Sequence, residues 1–278
     1  MKSKSFDGNV ILHHVTNDTH TALYDISLWG INLSITKHVL MLWVVAAITI
    51  VIAIYATRSY RKSKDAPPTK GLANLFEILM EFIKSDIIIP NIGQKGYKLW
   101  TPLIATFFLF ILVSNFIGMI PFFEKIPGVS GSSTITGNFT VTAALSMITF
   151  FSIIVAGTMK HGFIGHWKNM IPGGVPAPVL IILIPIEIMG MFIKPAALML
   201  RLGANMTAGH IGLVAIFGIP MIIFQSTQSV GIGFSVAVVS VILNTAIYFL
   251  EIIVCLVQAY VFSLLSAVFI GMAIHAEH

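Results

Sequence analysis

Between Pro185 and His210 the chain reads PIEIMGMFIKPAALMLRLGANMTAGH, an apolar stretch that nevertheless carries Glu187, Lys194 and Arg201. An ionised side chain at bilayer depth costs at least ~2.5–3.5 kcal/mol, so three of them call for a role. They are spaced seven apart, two helical turns each time, and therefore lie along one stripe of a helix. Asn205 extends that stripe, and Gly190, Ala197 and Ala204 flank it. A charged stripe beside small residues suits another protein surface or water rather than lipid. A second stripe follows near the C-terminus: Asn244, Glu251 and Gln258 are again seven apart, with Tyr248 and Cys255 interleaved. One stripe brings a guanidinium that stays protonated in proteins, and the other an acid and amides. Glu187, Arg201 and Glu251 could act as mutually neutralising glue between two helices. Lys194, Asn205, His210, Asn244 and Gln258 exceed what such glue needs, and a run of proton-exchanging and water-binding groups reads as an aqueous path.

The elements that must position these residues are membrane helices. The 278 residues are 56% hydrophobic and 10% charged, with a mean hydropathy of +0.93. About a quarter of the residues of a soluble domain are charged, so the composition predicts an all-α polytopic membrane protein. The net charge of +5 comes from cations at the ends of apolar segments, where they set topology, and does not point to nucleic acid. The single cysteine, Cys255, rules out an internal disulfide. The N-terminal MKSKSFDGNVILHH lacks the apolar core of a signal peptide.

Residues 1–37 read as an external polar tail and residues 38–278 as a membrane domain. The first span is predicted over 39–57, ending in Arg58, Arg61, Lys62 and Lys64, which places that end inside and the N-terminus outside. After Pro67-Pro68, Leu72, Leu75, Phe76, Leu79, Phe82 and Ile83 recur at helical spacing, predicting one interfacial amphipathic helix over 71–89. A helical hairpin follows, with spans at 100–123 and 139–159 joined by a Gly/Ser/Thr-rich outer loop. The segments 179–217 and 229–274 are each roughly 40 residues, ~60 Å as helix and twice the hydrocarbon thickness. They are expected as one pair of long, strongly tilted helices bent at Pro185 and Pro195, giving five membrane helices in all. His13, His14 and His20, and His161 and His166, lack a supporting Cys or carboxylate pattern, so no metal, cofactor or catalytic site is expected.

RLGANMTAGH at 201–210 closely resembles the arginine motif of the a subunit of F-type ATP synthases, and LEIIVCLVQAYVFSLL at 250–265 resembles that family's last helix. SNFIGMIP at 114–121 and the long helix pair extend the resemblance over nearly all of the chain after the N-terminal region. It implies that Arg201 is the family's essential arginine, and that Asn205, His210, Glu251 and Gln258 are polar residues of its proton half-channels. Many bacterial members carry an acid at the position of His210 and a histidine at that of Glu251; here the two are exchanged, which suggests a facing pair. The resemblance further implies a stator turning a rotor ring of c subunits, held by peripheral-stalk b subunits and coupled indirectly to a soluble ATPase sector. Glu251, His210 and, as a further candidate, Glu187 would conduct protons on the outer side. The expected setting is a bacterial inner membrane with the C-terminus cytoplasmic. A self-contained secondary transporter would need a midplane site at discontinuous helices, usually with repeated halves; a membrane hydrolase would need a nucleophile–base pair or a ligand set such as His-Glu-x-x-His. Neither pattern is evident.

Overall fold

The structure is a computed structural model that describes residues 22–24, 27–28, 31–32, 35–62, 71–119, 135–168 and 177–275. Several sequence expectations lie outside these residues: the histidines at 13, 14 and 20, Lys64, the Pro67-Pro68 break, Pro121 and residues 124–134 of the outer loop, and the breaker at 172–176. The segment read as an external polar tail contains four short strands. β1 (Ala22–Tyr24) pairs antiparallel with β4 (Ile35–Thr36), and β2 (Ser27–Leu28) pairs antiparallel with β3 (Ile31–Asn32). Such short strands leave no sustained alternation, which is why periodicity alone misses them.

The other described elements are helices. α1 is Lys37–Lys62 and α2 is Leu72–Phe82, which continues as a π-helical segment, Ile83–Ile88, into the short α3, Ile89–Ile92. α4 is Tyr97–Met119, α5 is Phe139–His161 and α6 is Phe163–Lys168. α7 spans Ala177–Thr227 and α8 Val230–Ile274. Among the described residues, α1, α4, α5, α7 and α8 are the five helices long and apolar enough to cross a membrane. The all-α polytopic fold class expected from composition is thus the one observed.

The π-helical segment has a local cause. Pro90 has no N–H, and its ring crowds the carbonyl of the preceding turn. Widening that turn relieves the clash. Ile83, Ile87 and Ile88 in this segment are all fully buried.

With 51 and 45 residues, α7 and α8 are each single helices of about 65–75 Å. α7 runs through Pro185, Pro195 and Pro220 without a break. It ends where Gln228 takes a left-handed backbone conformation, φ 53°, and the Gln228 N–H bonds back to the Phe224 carbonyl at 2.9 Å; an amide side chain is tolerated there. Two residues later α8 begins. Gly233 lies beneath Phe224, where a Cβ would meet the ring at 3.2 Å. The close approach at this helical hairpin therefore depends on glycine.

The chain forms two compact units. One comprises residues 1–45, 112–138 and 202–258, and is centred on Met119, Met206 and Cys255. The other comprises 46–111, 139–201 and 259–278. Its core is aromatic: Phe107 meets Phe262 edge-on at 5.4 Å, and Phe82 lies 5.9 Å from Tyr260. Thr149 and Ser266 hydrogen-bond through their buried hydroxyls at 3.2 Å. That contact removes two polar groups from an otherwise apolar interface, where an unpaired hydroxyl would be costly.

Candidate functional site

In the first unit, α8 carries the second polar stripe inward. Glu251 and Gln258 are each only 4% exposed, and Cys255 between them is fully buried; Asn244 is half-buried. From α7, Asn205 donates its Nδ2 to Gln258 Oε1 at 3.4 Å. His210 is half-buried on the same helix. The Glu251 carboxylate lies against Gly209, the residue before His210: a Cβ at position 209 would stand 2.8 Å from Oε1. A glycine there makes room for the acid. Both Glu251 oxygens, His210 Nε2, Asn244 Oδ1 and Gln258 Nε2 are buried with no hydrogen-bond partner among the described residues.

Leaving a buried polar atom unpaired costs ~1–3 kcal/mol, and more when it is charged. A group of such atoms in one region of a native fold needs a reason. Nothing among the described residues makes Glu251 glue, because neither of its oxygens has an ion-pair or hydrogen-bond partner there.

A network that the sequence did not reveal holds this part of α8. Asn115 on α4 is fully buried and donates Nδ2 to the Cys255 carbonyl at 3.3 Å, while its Oδ1 accepts from Thr136 at 2.6 Å. Tyr248 donates its hydroxyl to the Met119 carbonyl at 3.2 Å, and Cys255 Sγ sits 3.2 Å from Met119 Sδ. Thr207 donates to the Gly137 carbonyl at 3.1 Å. These bonds flank Glu251 and Gln258 and fix the helix that bears them. The available signal was an amide, Asn115, inside a strongly apolar helix.

The second unit holds the rest of the first stripe. Arg201 is exposed, and Glu187 and Lys194 are half-buried. The Lys194 ammonium lies 5.9 Å from the centroid of the Phe269 ring, close enough for a cation–π attraction. Arg201 is the last residue of the 139–201 segment of this unit, and α7 continues unbroken past it.

The sequence pattern of the family described as ATP synthase A chain matches residues 39–271. The chain belongs to this family. It is 41% identical over 254 residues to the ATP synthase subunit a of Chloroherpeton thalassium (strain ATCC 35110 / GB-78), covering 91% of this chain and 71% of that protein. It is 39% identical over 276 residues to ATP synthase subunit a 2 of Chlorobium luteolum (strain DSM 273 / BCRC 81028 / 2530), covering 96% and 75%. To the ATP synthase subunit a of Myxococcus xanthus (strain DK1622) it is 39% identical over 254 residues, covering 89% and 75%. Family membership and the five apolar helices together make the chain a membrane-sector component tied to ATP synthesis and proton transport.

Proposed function

We propose that this chain is the proton-translocating stator of a bacterial F-type ATP synthase, turning a ring of c subunits and anchored by b subunits of the peripheral stalk. One observation carries the reading: His210, Asn244, Glu251 and Gln258 present buried acid, base and amide atoms without partners among the described residues. Groups of that kind are retained where protons and water must be exchanged rather than locked away.

Glu251 and His210 act as the acid and base of an outer half-channel, with Asn244, Asn205 and Gln258 orienting water along it. Glu187 is a further conducting group, and the two long helices cross the membrane obliquely. Arg201 supplies the barrier. Its guanidinium keeps its charge, holds a passing rotor carboxylate ionised, and so prevents a protonated carboxylate from slipping directly between the two half-channels. Its exposure on α7 suits a group that meets a partner. The membrane potential contributes about 2.3 kcal/mol per charge per 100 mV, and successive ring steps sum to the energy needed for one ATP in the soluble sector. This chain contributes no catalytic site of its own. The basic ends of the spans favour an external N-terminus and a cytoplasmic C-terminus, in the bacterial inner membrane.

The test is ring-driven proton uptake by the reconstituted complex bearing Glu251→Gln. The amide keeps the shape but cannot relay a proton, so uptake should slow while remaining coupled to ATP, because Arg201 still stands. Unchanged uptake would remove Glu251 from the path.

A further inference from the structure

Away from these stripes, the second unit contains a cavity of about 550 Å³ at the ends of three of its helices. Its floor is apolar, formed by Ile92, Trp100, Ala156 and Ile274, and its rim carries Lys95 and Lys160. Among the described residues no acid lines it, and both lysines are exposed.

The walls are firmly built. His161 Nε2 donates to the Ile274 carbonyl at 3.2 Å, tying the end of α5 to the end of α8. His275 Nδ1 donates to the Gly271 carbonyl at 2.9 Å. Gly271 lets α8 press against the backbone at Asn91, where a Cβ would collide with the carbonyl. Gly93, with φ +86°, turns the chain along the rim beside His275.

An apolar track leaves the cavity along α5. Met159 is 65% exposed, and Val155, Phe151 and Ile148 follow it, all exposed. Their spacing of four, four and three places them on one face of the helix. The site therefore combines two ammonium groups, an apolar floor and an apolar strip running down a membrane helix. Cations clustered where a span ends attract anionic headgroups, and the strip matches an acyl chain.

We infer that this cavity is a binding site for one anionic phospholipid, its phosphate between Lys95 and Lys160 and an acyl chain along Met159, Val155, Phe151 and Ile148. The lipid would fasten the ends of α4, α5 and α8 at the membrane boundary. The inference does not depend on the proton path.

The test uses the assembled complex in nanodiscs of phosphatidylcholine, titrated with phosphatidylglycerol that bears a photoreactive acyl chain; crosslinks are mapped by peptide mass spectrometry. Saturable labelling within residues 148–160 is expected, and a phosphatidylcholine probe at equal concentration should label it far less. Lys95→Gln/Lys160→Gln should weaken the phosphatidylglycerol affinity roughly fivefold per lysine, about thirtyfold together. Lys95→Arg/Lys160→Arg should retain it. Both lysines are exposed, so loss of folding is not expected, and assembly of the complex is checked in parallel. Equal labelling by the two lipids, or labelling indifferent to loss of both lysines, would overturn the inference. Complete displacement by inorganic phosphate would overturn it as well, by making the ligand a free anion rather than a lipid.

Discussion

The two polar stripes have the same spacing and opposite surroundings. On α8, Glu251 and Gln258 are buried within the chain, beside a network running through Asn115, Thr136 and the Cys255 carbonyl. On α7, Arg201 and Asn205 are exposed, and Glu187 and Lys194 are half-buried. The best apolar window of α7 is 6% buried by the chain, against 39% for α8 and 56% for α4. A helix so apolar and so little covered must have its surface finished by lipid or by another subunit. One stripe thus holds stationary groups positioned from within the chain, and the other presents charge outward. On the proposed reading the first conducts protons and the second meets the rotor.

The difference can be broken most severely at Arg201. If α7 presents a barrier, its planar, permanently charged fork is what matters, whereas lysine is a flexible point charge that loses its proton readily when desolvated. Arg201→Lys should reduce ATP synthesis by reconstituted vesicles to background while the complex still assembles. Near-normal synthesis would make Arg201 a structural cation and erase the contrast between the stripes.

The next effect is expected on the α8 side. Gly209→Val puts atoms where Glu251 Oε1 now lies, since a Cβ would already approach it to 2.8 Å. Overpacking of this kind costs ~1–3 kcal/mol, and the same cost on the barrier to proton relay is roughly five- to 150-fold in flux. Combining Gly209→Ala with Glu251→Asp, whose shorter side chain withdraws the carboxylate, should recover part of the flux lost in Gly209→Ala alone. Proton uptake in the three variants checks this; no loss in the valine variant would mean that Glu251 can work from elsewhere.

A smaller effect separates holding from conducting. Asn115→Ala deletes the bonds to Cys255 and Thr136 and should destabilise the chain by about 1–3 kcal/mol, read as faster thermal inactivation of the complex. Arg201→Ala should leave that rate unchanged, because Arg201 is exposed. The smallest effect is expected at Glu81 and Lys84, an ion pair at 3.1 Å with both partners substantially exposed. Lys84→Ala should shift stability by less than about 1 kcal/mol, and a larger shift would mean that this face is covered in the complex.

Five spans, one long helical pair and both stripes could be read from the sequence because each is a matter of local period, length and charge. What escaped is tertiary or irregular. That Gly209 makes room for Glu251 depends on a residue forty-two positions away, and a glycine in an apolar helix carries no mark of what stands opposite it. The Asn115 network joins three separate segments. The π-helical turn at Ile83–Ile88 follows from Pro90, but a proline ahead of a loop reads equally well as a simple helix end. The strands at 22–36 are too short to alternate. Even the burial difference between the two stripes was invisible, since spacing reports which residues share a face and not what covers it.

The most direct test of that difference is proton leak through vesicles containing the complex, under an imposed pH gradient and membrane potential. If Arg201 is the barrier and α8 carries the relay, as proposed, Arg201→Ala should let protons leak without ATP formation. Adding Glu251→Gln should slow that leak, because it removes a group from the path the protons take. Vesicles that stay proton-tight with an assembled Arg201→Ala complex, or a complex that fails to assemble without Arg201, would contradict the account.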